Sequence, residues 1–479
     1  MTNQLVIFID ILQSELEKLV IPDPSSEVAR NTTVLATKAL RRLLVEEMDM
    51  PALRQTALAA YAALLPKLRE VLDHGALAPL RQVLAMADSA DWRPVEAALA
   101  GVMGALIARN DETARQLAGQ LATIDARLRE GREAAWAERS KPRPPRAGGK
   151  TARGGSEEEQ ARLLDFIQRH FPRETTLRIA SIQQIPGGFS KHTLFINLEG
   201  NQELPDCIVM RRDGPFPGTS VTTEYPIIQK MFAAGVALPR PFAMDAAGEV
   251  YGKPFILVSR AAGGIIGDFV TVREPSRETA LDLARKMARL HTAPFDGIEE
   301  YLVGGTAPIT ERLLKEIEAC EADWKQVTHR PAYVVQAAFD WLKAHIALAD
   351  GPRAVLHRDI GTHNMLIHDH QVSAFLDWET AAVGAPAEDL GYAYYTAVQM
   401  IDWPEFLAAY QAASGFQVNQ RQLDYYILWA SVRILVPILK NVDPVFGGGR
   451  KSLSDYYLGD HIGQVLIQRV ATKLAEILA

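Results

Sequence analysis

Three polar side chains crowd into VLHRDIGTHNMLIHDHQVSAFLDWE (residues 355–379): Asp359, Asn364 and, thirteen residues further on, Asp377. His357 opens an H-x-D-x-x-x-x-N pattern, and short strand-like apolar runs flank the polar residues. The grouping suits phosphoryl transfer from ATP. That reaction needs a carboxylate beside the attacking hydroxyl, to orient it and take its proton. It also needs oxygen ligands for Mg2+, which neutralises charge on the phosphates. One loop supplies the carboxylate of Asp359 and the amide oxygen of Asn364, and Asp377 reaches the same metal from the end of a neighbouring strand. Taken singly, each acid would equally serve as a helix cap or half of a surface ion pair.

The elements that must position this set lie upstream. RIASIQQI (178–185) and HTLFINLE (192–199) alternate with β-branched residues, and PGGFSK joins them as a hairpin. DCIVMRR (206–212) and FILVSR (255–260) read as further strands. A helix begins near Thr222, with Pro226 in its first turn and Ile227, Ile228, Met231 and Phe232 toward a core. From about residue 276 the chain is mostly helical, apart from 354–379. The order is a small β-rich lobe and then a larger helical one.

Asp377-Trp378-Glu379 and the following GAPAEDLGY (384–392) resemble the aminoglycoside phosphotransferase and choline kinase family, where Asp-Trp-Glu commonly stands in place of Asp-Phe-Gly. The resemblance covers about 160–479 and implies a protein-kinase-like fold binding ATP and Mg2+. It implies that Asp359 is the catalytic residue, that Asn364 and Asp377 hold the metal, and that Asp389 supports the catalytic loop. Gly187, Gly188, Phe189 and Ser190 resemble the loop that covers the phosphates, where glycines let backbone N–H groups approach. Arg211 would pair with the α- and β-phosphates and Glu224 would hold it, with the neighbouring Arg212 as the alternative cation. Ser259 and Ala261, in a hinge near Ser259–Ala262, would meet the adenine. VMRRDGPFPG…TTEYPIIQKM is similar in particular to kinase-like domains related to those fused to some acyl-CoA dehydrogenases, which carry arginine at this position. His291 is read as structural, and His363, His368 and His370 lack metal-ligand spacing on one helix face.

Composition bounds the rest. The chain has 479 residues, 48% of them hydrophobic and 23% charged, with a net charge of −7. Nothing in that balance advertises nucleic acid or an anionic membrane. Cys207 and Cys320 are too few for a disulfide framework and read as buried thiols in a reducing, cytoplasmic setting. The opening stretch is an amphipathic helix carrying Leu5, Phe8, Ile9, Leu12, Leu16 and Leu19 rather than an export signal. Residues 1–139 read as an all-α domain, a scaffold or interaction module able to support a homo-oligomer. SKPRPPRAGGKTARGG (140–155) marks a tether at 140–158 with three prolines, four glycines and five basic residues.

The expected fold is α+β: a protein-kinase-like bilobal domain over 159–479, preceded by a separate all-α domain. Its N-lobe covers about 159–260 and its C-lobe about 263–479. The expected activity is transfer of the γ-phosphoryl group of MgATP to a hydroxyl of a small molecule, such as a hydroxyacyl compound or an alcohol. Asp377 runs into GAPAEDLGY without a long activation loop, which favours a small acceptor over a protein. The alternatives are a nucleotide-binding pseudokinase, an assembly module, and an aminoglycoside- or choline-type kinase.

Overall fold

Alternating side chains over Arg178–Ile185 (β1), Lys191–Glu199 (β2) and Cys207–Asp213 (β3) satisfy the two-residue repeat of a sheet with one face buried. In the computed structural model, Pro241–Asp245 (β4) and Phe255–Ser259 (β5) complete a five-stranded antiparallel sheet in the order β1-β2-β3-β5-β4. The structure describes residues 27–86, 92–139, 157–185, 191–214, 220–449 and 452–479, together with Phe8, Ile11, Leu12, Ser14 and Glu15. The edge strand β4 was not foreseen; it is five residues long and opens on a proline, so it carries little strand signal.

Register decides which side chains reach the site. Leu194, Ile196 and Leu198 of β2, Ile208 and Met210 of β3, and Phe255 and Leu257 of β5 share one apolar layer. Leu163, Phe166 and Ile167 of the helix Glu157–His170 join them there. Lys191 pairs with Asp213 and Thr193 with Arg211 across the β2–β3 ladder. Strand alternation therefore sends Lys191 and Arg211 to the opposite face. The helix Val221–Ala233 follows, capped by Ser220, whose hydroxyl donates to Asp213 at 2.6 Å. Pro226 falls in its second turn rather than its first, because capping starts the helix at Val221.

The sheet belongs to a mixed unit of residues 147–309 and 350–419. This unit also holds the helices Arg277–His291, Pro386–Ala397 and Trp403–Ser414. Two small antiparallel ladders complete it: Ala354–Leu356 (β6) with Ala382–Gly384 (β9), and Met365–His368 (β7) with Gln371–Phe375 (β8).

The boundary drawn from composition is not the one the contacts make. Residues 1–146 group with 310–349 and 420–479 into a second, helical unit. Two segments assigned to the C-lobe, 310–349 and 420–479, thus pack with the N-terminal helices. Backbone approach shows how close the packing is. A Cβ placed on Gly119 would lie 3.0 Å from the carbonyl oxygen of Leu478, at the end of the helix Gly463–Leu478. Tyr333 donates its hydroxyl to the Leu121 carbonyl at 2.7 Å and its backbone N–H to Glu96 at 2.7 Å. The tether itself falls outside the described residues, save that the helix Glu157–His170 begins within its last two positions.

Buried ions reinforce this unit. Asp460 accepts from Arg330 at 2.7 Å and from Arg132 at 3.3 Å, all three nearly inaccessible. Arg132 also reaches Glu46 at 2.6 Å, whose carboxyl burial would raise but whose arginine neighbours hold at about 2. Taking one partner from such a group leaves buried charge uncompensated. Asp460→Ala should therefore destabilise the protein by about 3–5 kcal/mol in urea unfolding. A change under about 1 kcal/mol would show that the arginines find other partners.

Cys207 and Cys320 are free and partly rather than fully buried. Burial pushes the Cys320 thiol up to about 12. Among the described residues, no helix is long and apolar enough to cross a membrane.

Candidate active site

The loop between β6 and β7 is shaped by one acid beneath it. Asp389, fully buried near the start of the helix Pro386–Ala397, accepts the backbone N–H of His357 at 2.8 Å and that of Arg358 at 2.6 Å. His291, ending the helix Arg277–His291, lies 3.1 Å from Asp389 and 2.8 Å from the Tyr410 hydroxyl. These contacts turn the chain sharply, and Arg358 sits at φ 68°. An arginine adopts that conformation only where its surroundings hold it. Its side chain is fixed by Glu388 at 2.8 Å. Burial lowers the His357 imidazole below its ordinary range, so the neutral ring donates through Nε2 to the Leu376 carbonyl at 2.8 Å. That bond ties the loop to the turn carrying Asp377.

Asp359 stands at the tip with both oxygens engaged. Oδ2 accepts from the Asn364 amide at 2.6 Å, and Oδ1 accepts from the Tyr392 hydroxyl and lies 3.3 Å from His363 Nε2. Burial would raise the Asp359 carboxyl, but His363 and Tyr392 outweigh it and hold it at about 2. The group is an anion throughout the neutral range. The Phe269 ring stacks on His363 with centroids 3.9 Å apart.

Asp377 follows β8 at φ 67°, a second left-handed residue in the site. Trp378 is buried behind it and donates to the Phe375 carbonyl at 3.3 Å. Arg211 spans from the sheet: Nη2 donates to Asp377 at 2.7 Å and Nη1 to Glu224 at 3.2 Å. Burial works against the Arg211 charge, yet the carboxylates of Glu224 and Asp377 raise its pKa. Glu224 is fully buried on its helix; burial raises its pKa, and Arg211 and Lys191 work against that rise. Beside them a small cavity is lined by Arg211, Ile256, Val258, Leu238, Phe375 and Asp377.

The structure thus brings Arg211, Glu224 and Asp377 into one ion-pair chain and joins Asp359 to Asn364. Arg212 instead lies over the Tyr251 ring. Ser259 ends β5 and accepts the Arg240 backbone N–H on its hydroxyl at 2.8 Å. Ala261 follows it in a crossing segment that meets β7 through paired Gly264–Ile367 backbone bonds. Gly263, at φ +97°, admits no side chain there, since a Cβ would lie 2.2 Å from the Ile367 oxygen. Gly187, Gly188, Phe189 and Ser190 lie outside the described residues.

Sequence reasoning missed Lys191 and Tyr392, and passed over the contact of His363 with Asp359. For Lys191 the signal was available: a cation directly after Gly-Gly-Phe-Ser. Glu224, Asp377 and Glu379 each bring a carboxylate oxygen within 4.8 Å of the others, a three-acid group able to hold a cation. Hard oxygen donors of this kind fit Mg2+. Asn364 turns its amide nitrogen to Asp359.

A family model described as the phosphotransferase enzyme family matches residues 181–431, just over half of the chain. Acyl-CoA dehydrogenase family member 11 of Gallus gallus is 27% identical over 249 residues, 49% of this chain and 30% of that protein. A homoserine kinase of Methylobacterium radiotolerans is 26% identical over 171 residues, 34% of this chain and 49% of that one. The chain therefore spans about a third to a half of the length of these relatives. Among solved structures, a putative aminoglycoside phosphotransferase of Ralstonia eutropha superposes with a TM-score of 0.52 at 19% identity, covering 66% of this chain and 98% of that one. This likeness shows the fold.

Proposed function

Because the chain belongs to the phosphotransferase enzyme family, we propose that it transfers the γ-phosphoryl group of MgATP to a hydroxyl of a small-molecule metabolite. One observation carries the reading: Asp359 stands hydrogen-bonded to Asn364 in one loop, while Asp377 is held from the sheet by Arg211.

In this reading Arg211 grips the α- and β-phosphates with its fork, as guanidinium does with phosphate oxygens. Gly187–Ser190 covers the phosphates, and the adenine lies under Ser259–Ala262. Asn364 and Asp377 would hold Mg2+, which supplies charge neutralisation on the phosphates when bound. Asp359 accepts a hydrogen bond from the acceptor hydroxyl and takes its proton as the new O–P bond forms and the bond to the ADP oxygen breaks. Asn364 and Tyr392 keep the carboxylate from turning away.

The similarity to an acyl-CoA dehydrogenase relative supports a hydroxyacyl compound or a secondary or tertiary alcohol as acceptor. Phosphorylation would there create a leaving group for later elimination. Residues 385–479 hold nine acids against seven bases, a weak trap for a polycationic aminoglycoside or for choline. The test is ADP release over a panel of hydroxyl compounds with and without Mg2+. Acceptor-dependent release that needs Mg2+ supports the reading. Nucleotide binding without release on any acceptor would make the protein a pseudokinase.

Arg211→Ala should raise the KM for ATP by about 10- to 100-fold, the equivalent of losing a charge-assisted hydrogen bond of about 1.5–3 kcal/mol. Arg211→Lys should fall between, keeping charge but not the fork. Steady-state kinetics on the two variants checks the order. An Arg211→Ala enzyme of normal KM would place the phosphates on another cation.

A further inference from the structure

Lys191 opens β2, and its side chain is only 4% exposed. Its Nζ lies 3.3 Å from Glu224 Oε1, 3.5 Å from Glu379 Oε2 and 4.0 Å from Asp213 Oδ1. With Arg211 it makes an ion-pair chain of alternating charge running from Glu379 to Asp377. Arg211 holds Glu224 Oε2 and Asp377, while Lys191 holds Glu224 Oε1 and Glu379. Asp377 and Glu379 leave the same turn two residues apart. Glu224 therefore carries one cation on each oxygen, although it is wholly removed from water.

That double pairing has a consequence when a polyphosphate arrives. Arg211 has two arms, both engaged by acids, and phosphate oxygens compete for them. As Arg211 turns to the phosphates, Glu224 would become a buried carboxylate short of a partner, a costly state. A second cation that stays in place removes that cost. Lys191 is placed to be it, and its bond to Glu379 also fastens the Asp377–Glu379 turn to the sheet.

Resting on the phosphotransferase reading above, we propose that Lys191 is a positioning residue of the nucleotide site. It keeps Glu224 compensated while Arg211 engages phosphate, and it holds the turn that carries Asp377. Replacing it therefore weakens nucleotide binding more than it disturbs the acceptor.

The full-length protein and its Lys191→Met and Lys191→Arg variants would be titrated with MgADP by calorimetry and assayed with MgATP and an acceptor. Lys191→Met should weaken MgADP binding at least tenfold and raise the KM for ATP comparably, leaving the KM for the acceptor within twofold. Lys191→Arg should return MgADP affinity to within threefold of the parent. A Lys191→Met protein that binds MgADP normally overturns the proposal. So does one whose losses fall equally on ATP and acceptor and are not rescued by arginine. Should Lys191→Met not fold, Glu379→Gln tests the same tie: MgADP binding should weaken at least threefold, and unchanged affinity counts against it. The binding titration needs no acceptor. A parent protein that binds MgADP but phosphorylates nothing defeats the kinase reading, while the ratio of MgADP affinities still decides the role of Lys191. A parent that does not bind MgADP defeats both.

Discussion

Asp377→Ala should abolish detectable turnover and weaken Mg2+-dependent nucleotide binding, whereas Asp359→Asn should lose turnover and keep the nucleotide. The two acids are held by different partners. Asp377 is tied to the sheet by Arg211, and it belongs to the three-acid group able to accept a cation. On the proposed function, removing it would take away a metal ligand; it also leaves one arm of Arg211 without its acid. The partners of Asp359 are instead Asn364, Tyr392 and His363. Asparagine keeps its shape and removes its proton-accepting charge, so turnover should fall by about 10²- to 10⁴-fold, the usual contribution of a positioned base. Calorimetry with MgADP and a turnover assay on both variants separate the two behaviours. Equal loss of binding in both would mean that the two acids form one metal site.

The second large effect concerns the helical unit. A fragment of residues 156–479 should be insoluble, or should unfold at far lower urea than the full chain. Its helix Gly463–Leu478 buries Leu466, Ile467, Val470 and Leu474, and packs in the full chain with the helix Glu112–Arg139. Each such side chain is stabilising by about 1.5–3 kcal/mol when buried. Uncovering several of them consumes a margin of only about 5–15 kcal/mol. Asp460 would lose Arg132, and Tyr333 would lose Glu96 and Leu121. A fragment that is soluble and unfolds like the parent would restore the reading of 1–139 as a detachable module.

Why the sequence misjudged that boundary follows from what each signal reports. Prolines, glycines and basic residues at 140–155 mark where the chain has little to bury, and say nothing of which helices meet across the gap. A 3.6-residue repeat in 463–478 says that a face is buried, not against what. The strands were readable because alternation is local, and β1 runs over the residues expected of it. The site divides in the same way. Asp359, Asn364 and Asp377 stand within one short stretch, so their spacing was visible together. Lys191 meets Glu379 only after β2 and the Asp377 turn are brought face to face. Tyr392 meets Asp359 only after the helix Pro386–Ala397 packs beneath the loop between β6 and β7. His363 was noticed for its neighbours His368 and His370, but its contacts are Asp359 and Phe269, while His368 lies exposed beside Asp369.

The most direct test of the central claim is phosphorus NMR of the full-length protein with MgATP and a hydroxyl acceptor, followed as ATP is consumed. Transfer to a hydroxyl predicts a phosphomonoester resonance that grows one for one with ADP and is lost on Asp359→Asn. ADP accompanied only by inorganic phosphate, at a rate indifferent to the acceptor and to Asp359, would contradict it.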